Sequence, residues 1–121
     1  MELAMVGLGK MGFNMARRLL RDGHRVIAYD SSSEVVKRIE KEGAIGATTL
    51  EEMVESLEAS PKVVWLMVPA GEAVTQTIES ISPTISKGSI IVDGGNSHYK
   101  DSVARAESLK QQGIHFLDIG T

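Results

Sequence analysis

Short apolar runs alternate along this chain with longer segments in which apolar residues recur every three or four positions. The short runs are typical of buried β-strands, and the longer segments are typical of amphipathic α-helices. Strands that alternate with helices form βαβ units, so the pattern predicts a parallel sheet covered by helices. The predicted strands are 3–6, 25–29, 44–47, 63–68, 90–92 and 114–117; the predicted helices are one that ends near residue 22 and those at 33–42, 50–57, 71–81 and 102–112.

Six strands in two βαβαβ halves predict an α/β fold with a doubly wound parallel sheet, the Rossmann fold, in three α/β/α layers with strand order 3-2-1-4-5-6. Gly23 and Gly43 follow the first two helical patterns and are predicted to terminate those helices. The hydroxyls of Ser31 to Ser33 are predicted to cap the N-terminus of the second helix. The sequence has no repeat, low-complexity tract or linker, so we expect residues 1–121 to form one domain.

The composition narrows the possible partners. The chain is 42% hydrophobic and 24% charged, as is ordinary for a globular protein, and it has a net charge of -3 with scattered Lys and Arg residues. It therefore has no basic stripe for nucleic acid or for an anionic membrane. The absence of cysteine excludes a disulfide scaffold and thiolate metal sites and fits a reducing cytoplasm, where we expect this protein. The sequence shows no signal peptide and no segment long and apolar enough to span a membrane. No metal site is expected, because His24, His98 and His115 have no acidic residues beside them at the spacing of metal ligands.

A glycine-rich turn joins the first predicted strand to the first predicted helix. Gly7, Gly9 and Gly12 form the pattern GxGxxG, which here follows an apolar strand and precedes apolar residues at helical spacing. In this context the first glycine permits a tight turn, the second lets the backbone approach a diphosphate, and the third lets the helix pack closely on the sheet. The helix N-terminus also presents free N–H groups and a partial positive charge to an anion. The turn therefore predicts a dinucleotide site.

Asp30 ends the second predicted strand, where a carboxylate accepts hydrogen bonds from the adenosine ribose in dinucleotide-binding folds. This residue favours NAD, because the 2′-phosphate of NADP would meet a like charge, and the following Ser31 and Ser32 supply no guanidinium. The alternative is that Asp30 is only a turn residue or a helix cap. Because Asp30 follows a GxGxxG motif in the expected strand and helix context, we favour the cofactor role.

Two further segments follow predicted strands at the same edge of the sheet. The segment from Val68 to Gly71 either lies against the nicotinamide half of a dinucleotide or forms an ordinary strand-to-helix turn. The segment from Asp93 to Tyr99 carries two glycines ahead of Asn96, whose amide can both donate and accept hydrogen bonds at the mouth of the crevice. An ordinary turn is the alternative there as well.

The glycine motif through Asp30, residues 68–71, residues 93–102 and residues 113–121 together resemble the 6-phosphogluconate dehydrogenase family, and the resemblance spans the chain. The glycine motif is shared by many dinucleotide enzymes, whereas the segment Asp-Gly-Gly-Asn-Ser-x-Tyr-x-Asp-Ser is much more specific to this family. The resemblance implies metal-free oxidation of the 3-hydroxyl of 6-phosphogluconate by hydride transfer, then loss of CO2 to give ribulose 5-phosphate in the pentose phosphate pathway. It also implies that Asn96 contacts substrate and nicotinamide, and that residues 68–71 line the nicotinamide ribose.

The resemblance further implies that the family's catalytic lysine and glutamate lie beyond Thr121, in a helical part that also forms the dimer. We therefore expect this chain to be an N-terminal cofactor domain, truncated before the helical substrate and dimer domain. Alone it is expected to hold no catalytic residue and to be inactive. The full-length enzyme is expected to be a homo-oligomer that acts on a phosphorylated sugar acid.

NADP-using members typically have Asn-Arg-Thr where this chain has Asp30, Ser31 and Ser32, so the chain resembles the NAD-preferring subgroup. NADP stays possible, because Lys37 or Arg38 could partly serve a 2′-phosphate. The residues we expect to bind the cofactor are Gly7, Leu8, Gly9, Lys10, Met11, Gly12, Tyr29, Asp30, Ser31, Ser32, Met67, Val68, Pro69, Ala70, Gly71, Val74 and Asn96, the last of which is also the expected substrate contact.

Two other functions stay open. One is a β-hydroxyacid or semialdehyde dehydrogenase of the same superfamily, in which a serine-rich segment usually replaces residues 93–97. The other is a non-catalytic NAD-sensing module, against which a substrate-facing Asn96 argues.

Overall fold

The predicted strands assemble into one six-stranded parallel sheet in the computed structural model, which describes residues 1–95 and 98–119 but not the side chain of Tyr99. The strands are β1 (Glu2–Val6), β2 (Arg25–Tyr29), β3 (Ile45–Gly46), β4 (Val63–Leu66), β5 (Ile90–Asp93) and β6 (His115–Asp118). The helices are α1 (Lys10–Arg21), α2 (Ser33–Glu40), α3 (Leu50–Ser56), α4 (Glu72–Ile81) and α5 (Tyr99–Gln111). The strand order is β3-β2-β1-β4-β5-β6, which confirms the predicted doubly wound Rossmann fold.

Several predicted boundaries differ from the observed ones for local reasons. β4 ends at Leu66 rather than Val68, because the chain bends at Val68, just after the N–H of Met67 makes a last hydrogen bond to the carbonyl of Val6. α5 begins at Tyr99 rather than Ser102, because the Nδ1 of His98 accepts a hydrogen bond from the N–H of Lys100 at 3.3 Å and caps the helix.

The predicted serine cap of α2 is wrong. Ser32 is the N-cap residue, but its hydroxyl makes no capping hydrogen bond. The N–H of Ser32 instead donates to Oδ1 of Asp30 at 2.8 Å. α2 ends at Glu40, before the predicted residue 42, and Gly43 follows with φ of 110°. The side chain of Asp30, the residue directly after β2, therefore organises the start of this helix.

The two faces of the sheet carry different helices. Side chains of β1 alternate between the faces, with Leu3 and Met5 on one side and Ala4 and Val6 on the other. The first pair packs with apolar residues of α1 and α2, and the second packs with those of α3, α4 and α5. This confirms the three α/β/α layers. No helix among residues 1–95 and 98–119 is long and apolar enough to cross a membrane.

At the amino end of β1, Glu2 ties the sheet to the loop that precedes β4. Its side chain is 8% exposed and forms an ion pair with Arg25. Its carboxylate also accepts hydrogen bonds from the backbone N–H groups of Glu58 and Ala59, both at 2.8 Å. The carboxyl ends of the strands lie at the opposite edge, so this cluster contributes to stability away from that edge.

Candidate functional site

A cleft of about 950 Å³ opens at the carboxyl edge of the sheet, where β1 pairs with β2 on one side and β4 on the other. In doubly wound folds this reversal of strand order is where ligands bind, and the volume is that of a small-molecule site. The predicted cofactor residues that line the cleft are Gly7, Gly9, Lys10, Met11, Gly12, Tyr29, Asp30, Ser31, Met67, Val68 and Pro69. The fold therefore brings the first, second and fourth strand ends together around one space.

At two of the glycines in the turn after β1, neighbouring backbone lies too close to leave room for a side chain. Gly7 has φ of 97°, and a Cβ there would lie 2.6 Å from the carbonyl oxygen of Met67. A Cβ on Gly12 would collide with the carbonyl oxygen of Gly7. These two positions let α1 and the start of the β4 loop approach the turn, which agrees with the roles expected from the motif.

Gly9 is different, because nothing lies within 4 Å of the position that its Cβ would take. It is the exposed N-cap of α1, it provides no side-chain cap, and the first turn of the helix contains no acidic residue. The first N–H groups of an uncapped helix carry a partial positive charge. The empty space beside Gly9 and these donors fit the diphosphate of a dinucleotide.

Asp30 connects two loops at the end of β2. Its Oδ2 accepts a hydrogen bond from the N–H of Leu8 at 2.7 Å, and its Oδ1 accepts one from the N–H of Ser32 at 2.8 Å. An ionised carboxylate has about four acceptor positions, so acceptor capacity is left for a ribose hydroxyl. The bond to Leu8 is a role that sequence reasoning missed. The bond to Ser32 is an Asx turn, which an Asp followed by serines does suggest.

The other predicted residues lie outside the cleft lining. Leu8 is 3% exposed and packs in the core, and Val74 of α4 is fully buried. Ser32 is exposed, and Ala70 and Gly71 form the turn into α4. Asn96, the expected substrate contact, lies outside the described residues.

One wall of the cleft was not predicted. Ala73, Gln76, Thr77 and Ser80 line it from α4, together with Leu50 at the start of α3. The four α4 residues recur at intervals of three, one and three, so they share one face of the helix. Their small or polar side chains are the signal that could have identified this wall.

Gly94 and Gly95 line the cleft, but both also pack against the end of β4. A Cβ on Gly94 would lie 2.6 Å from Sδ of Met67 and 2.7 Å from Nε1 of Trp65, and a Cβ on Gly95 would collide with the carbonyl oxygen of Val68. The N–H of Gly94 donates to the carbonyl of Leu66 at 2.9 Å. The pair thus seats the loop after β5 against the loop after β4.

The three histidines are separated in the structure. His98 caps α5, His115 begins β6 at the surface, and His24 precedes β2. Among the described residues, no three His, Asp or Glu side chains group closely enough to hold a metal ion.

Comparison with known proteins finds relatives that match along this chain. Residues 2–121 match the sequence family described as the NAD binding domain of 6-phosphogluconate dehydrogenase. Over 121 residues the chain is 41% identical to the NAD(+)-dependent, decarboxylating 6-phosphogluconate dehydrogenase of Haloferax volcanii, which covers 100% of this chain and 39% of that protein.

Two solved structures share the architecture. Plasmodium falciparum 6-phosphogluconate dehydrogenase, studied in its apo form and with its cofactor NADP+ and its substrate 6-phosphogluconate, superposes with a TM-score of 0.84 at 30% identity over 96% of this chain and 26% of that one. Mycobacterium tuberculosis 3-hydroxyisobutyrate dehydrogenase gives a TM-score of 0.87 at 23% identity over 97% of this chain and 39% of that one, a likeness of fold. The chain thus spans between 26% and 39% of the length of these relatives.

Proposed function

Because this chain belongs to the family of NAD-binding domains of 6-phosphogluconate dehydrogenase, we propose that its cleft binds NAD for the oxidative decarboxylation of 6-phosphogluconate to ribulose 5-phosphate. The observation that supports this most directly is the uncapped N-terminus of α1 beside the open position of Gly9, with Asp30 at the neighbouring strand end. An anion site at a helix N-terminus and a carboxylate at the neighbouring strand end are the features that the diphosphate and ribose of one dinucleotide would need.

In this proposal, each part of the cleft holds one part of the cofactor. The first N–H groups of α1 donate to the diphosphate, and Lys10 adds positive charge at its edge. Asp30 accepts hydrogen bonds from the adenosine ribose, while Val68 and Pro69 lie against the nicotinamide half. Asn96 orients the substrate through its amide. The bound nicotinamide would supply the acceptor for the hydride that leaves the substrate.

The preference for NAD over NADP rests on charge. Asp30 would repel a 2′-phosphate, and the exposed Ser31 and Ser32 carry no positive charge. The Arg38 guanidinium, a candidate partner for such a phosphate, lies over the ring of Phe13 with its Cζ 5.1 Å from the ring centroid. This cation–π contact already engages the guanidinium.

The first test is titration of this chain with NAD and with NADP at equal ionic strength, by calorimetry and by the fluorescence of the single tryptophan, Trp65. The Nε1 of Trp65 donates to Sδ of Met67 at 3.2 Å, and Met67 lines the cleft, so a ligand in the cleft should change the emission. We expect saturable binding that is tighter for NAD. Failure of this chain to bind either dinucleotide would mean that the missing domain is needed to form the cofactor site, and failure of the protein expressed from its complete gene to bind either would contradict the cofactor role.

The second test concerns the reaction. The protein expressed from its complete gene should form reduced nicotinamide and release CO2 with 6-phosphogluconate, whereas the present 121 residues should do neither, because we expect the proton-transferring groups to lie outside them. Unphosphorylated gluconate serves as the matched control for recognition of the phosphate. Activity on 3-hydroxyisobutyrate in place of 6-phosphogluconate would favour the β-hydroxyacid dehydrogenase alternative, and binding without turnover of either would favour an NAD sensor.

The proposal includes the compartment and assembly of the complete protein, which we place in the cytoplasm as a homo-oligomer. The absence of cysteine supports a reducing compartment. Size-exclusion chromatography with light scattering of the complete protein tests the assembly.

A further inference from the structure

The turn that leads from β4 into α4 is fixed at its last residue by a partner from a distant helix. Gly71 has φ of 95° and is the N-cap of α4, which has no side-chain cap. Its carbonyl oxygen accepts hydrogen bonds from the N–H of Thr75 at 3.1 Å, from Oγ1 of Thr75 at 3.3 Å and from Nη2 of Arg105 at 3.0 Å. Nothing lies within 4 Å of the position of a Gly71 Cβ, so backbone conformation, not packing, calls for glycine here.

Arg105 projects from α5, the helix that follows the loop after β5. Its Nη2 also donates to Oγ1 of Thr75 at 3.0 Å, so the guanidinium, the hydroxyl and the Gly71 carbonyl form a closed triangle. The side chain is partly buried, and its Nη1 is buried with no hydrogen-bond partner in the described part of the chain. A charge held in this way forms stronger hydrogen bonds than it would in water, because little solvent competes for them.

This triangle joins the turn after β4 to α5, the helix that follows the loop after β5. The glycines after β5 already pack against the end of β4, with the N–H of Gly94 bonded to the carbonyl of Leu66. Arg105 adds a second connection, from the body of α5 to the last residue of the turn after β4. Arg105 does not itself line the cleft, so any effect on a ligand must pass through the backbone of Gly71 and the residues before it.

We propose that Arg105 is a positioning residue, which holds the turn of residues 68–71 in the conformation that receives the nicotinamide half of the cofactor. The inference rests on the proposed function, because it requires a dinucleotide in the cleft. The proposal predicts that the two halves of the ligand differ in how much their binding depends on Arg105. The adenosine and diphosphate contacts come from α1 and Asp30, which Arg105 does not touch, so only the nicotinamide half should depend on Arg105.

The test compares NAD with ADP, which carries the adenosine and diphosphate but no nicotinamide nucleoside. Arg105→Met should weaken NAD binding about tenfold and change ADP binding less than about twofold, because it removes one charge-assisted pair of hydrogen bonds from a preorganised turn. Arg105→Lys keeps one donor and the charge and should recover most of the NAD affinity. Arg21→Met, an exposed position in the last turn of α1, is the matched control and should leave both affinities unchanged.

Equal weakening of NAD and ADP, or no weakening of NAD, would overturn the positioning role. Failure of the unmutated protein expressed from its complete gene to bind either ligand would instead refute the proposed function itself. If Arg105→Met does not fold, Thr75→Val provides a milder comparison in the same direction, because it removes the hydroxyl that orients Nη2 of Arg105 and leaves the bond of that nitrogen to the Gly71 carbonyl. Hydrogen exchange of residues 67–76 without ligand adds an independent measurement, since protection there should fall in either variant.

Discussion

Two substitutions of Asp30 distinguish the structural role of its carboxylate from its proposed role in cofactor binding. One role is structural, because Oδ2 accepts the N–H of Leu8 at 2.7 Å and Oδ1 accepts the N–H of Ser32 at 2.8 Å. The other is the proposed contact with the adenosine ribose of NAD. Asp30→Ala abolishes both, whereas Asp30→Asn keeps an amide oxygen that can accept one of the two hydrogen bonds. The two variants should therefore differ in stability more than in cofactor preference.

The expected loss of stability follows from the exposure of the two donors. Leu8 is 3% exposed and its hydrogen bond to Asp30 is partly buried, so water only partly replaces the lost acceptor, and a buried unpaired donor costs about 1–3 kcal/mol. Ser32 is exposed, so water replaces the carboxylate there. We expect Asp30→Ala to lower the free energy of unfolding by about 2 kcal/mol, which corresponds to a fall in Tm of roughly 8 °C for a domain of this size. A neutral acceptor is weaker than a charged one, so Asp30→Asn should cost about half as much.

Cofactor preference should change alike in both variants. Each removes the negative charge that would repel a 2′-phosphate and that would bind the ribose hydroxyls most strongly. NAD binding should weaken about tenfold in each, the worth of one charge-assisted hydrogen bond, while NADP binding should weaken less or improve.

Thermal unfolding followed by circular dichroism measures the first effect, and calorimetric titration with both dinucleotides measures the second. Asp22→Ala, an exposed carboxylate at the far end of α1, is the control for removal of a charge. A Tm of Asp30→Ala equal to that of the native chain would refute the structural role. An unchanged preference for NAD in both variants would refute the ribose contact and the argument from charge.

The remaining predictions concern the two edges of the sheet. Gly9→Ala should fold with little change in Tm but weaken NAD binding at least about tenfold, because its Cβ enters the open cleft. Gly12→Ala should lower Tm sharply, because its Cβ collides with the carbonyl oxygen of Gly7. Equal Tm values for the two variants would contradict this interpretation. Glu2→Ala should lower the free energy of unfolding by about 1–2 kcal/mol and leave NAD affinity unchanged, because the 36% exposed Arg25 keeps Glu58 as an ion-pair partner and water replaces the carboxylate at the exposed N–H groups of Glu58 and Ala59. The exposed Glu51→Ala is its control, and urea unfolding with parallel NAD titration measures both effects.

The sequence predicted the sheet because its signals are local. Each parallel strand is buried on both faces and reads as a short apolar run, and each helix reads as a periodic pattern. The predicted β2 span coincides with the observed Arg25–Tyr29, and the strand order follows from the rule for doubly wound sheets. The errors fall at element ends, as at Ser32, where a side chain outside the helix decides the local structure. The helix propensity of the residues in α2 carries no information about a hydrogen-bond partner outside the helix.

The sequence predicted the residues of the cleft that belong to short motifs but not those that only the fold brings there. Gly9 and Asp30 were identified because their roles belong to a short motif with fixed spacing. The wall formed by Ala73, Gln76, Thr77 and Ser80 has no such motif, and it becomes visible only when α4 is placed beside the end of β1. The same holds for Arg105, which reaches a carbonyl 34 positions earlier in the chain. Long-range contacts of single side chains leave no periodic trace in a sequence.

The structural bond of Asp30 also restricts how cofactor preference can change at this site. A residue that accommodates a 2′-phosphate must lose the negative charge, yet the buried N–H of Leu8 still requires an acceptor at position 30. Asparagine satisfies both demands, whereas alanine satisfies only the first. This agrees with the Asn-Arg-Thr that NADP-using members of the family typically carry in place of Asp30, Ser31 and Ser32. We therefore expect Asp30→Asn combined with Ser31→Arg to bind NADP more tightly than NAD while keeping a Tm close to that of Asp30→Asn alone. A combined variant with Asp30→Ala should gain less, because the glycine-rich turn that both cofactors share would lose its support.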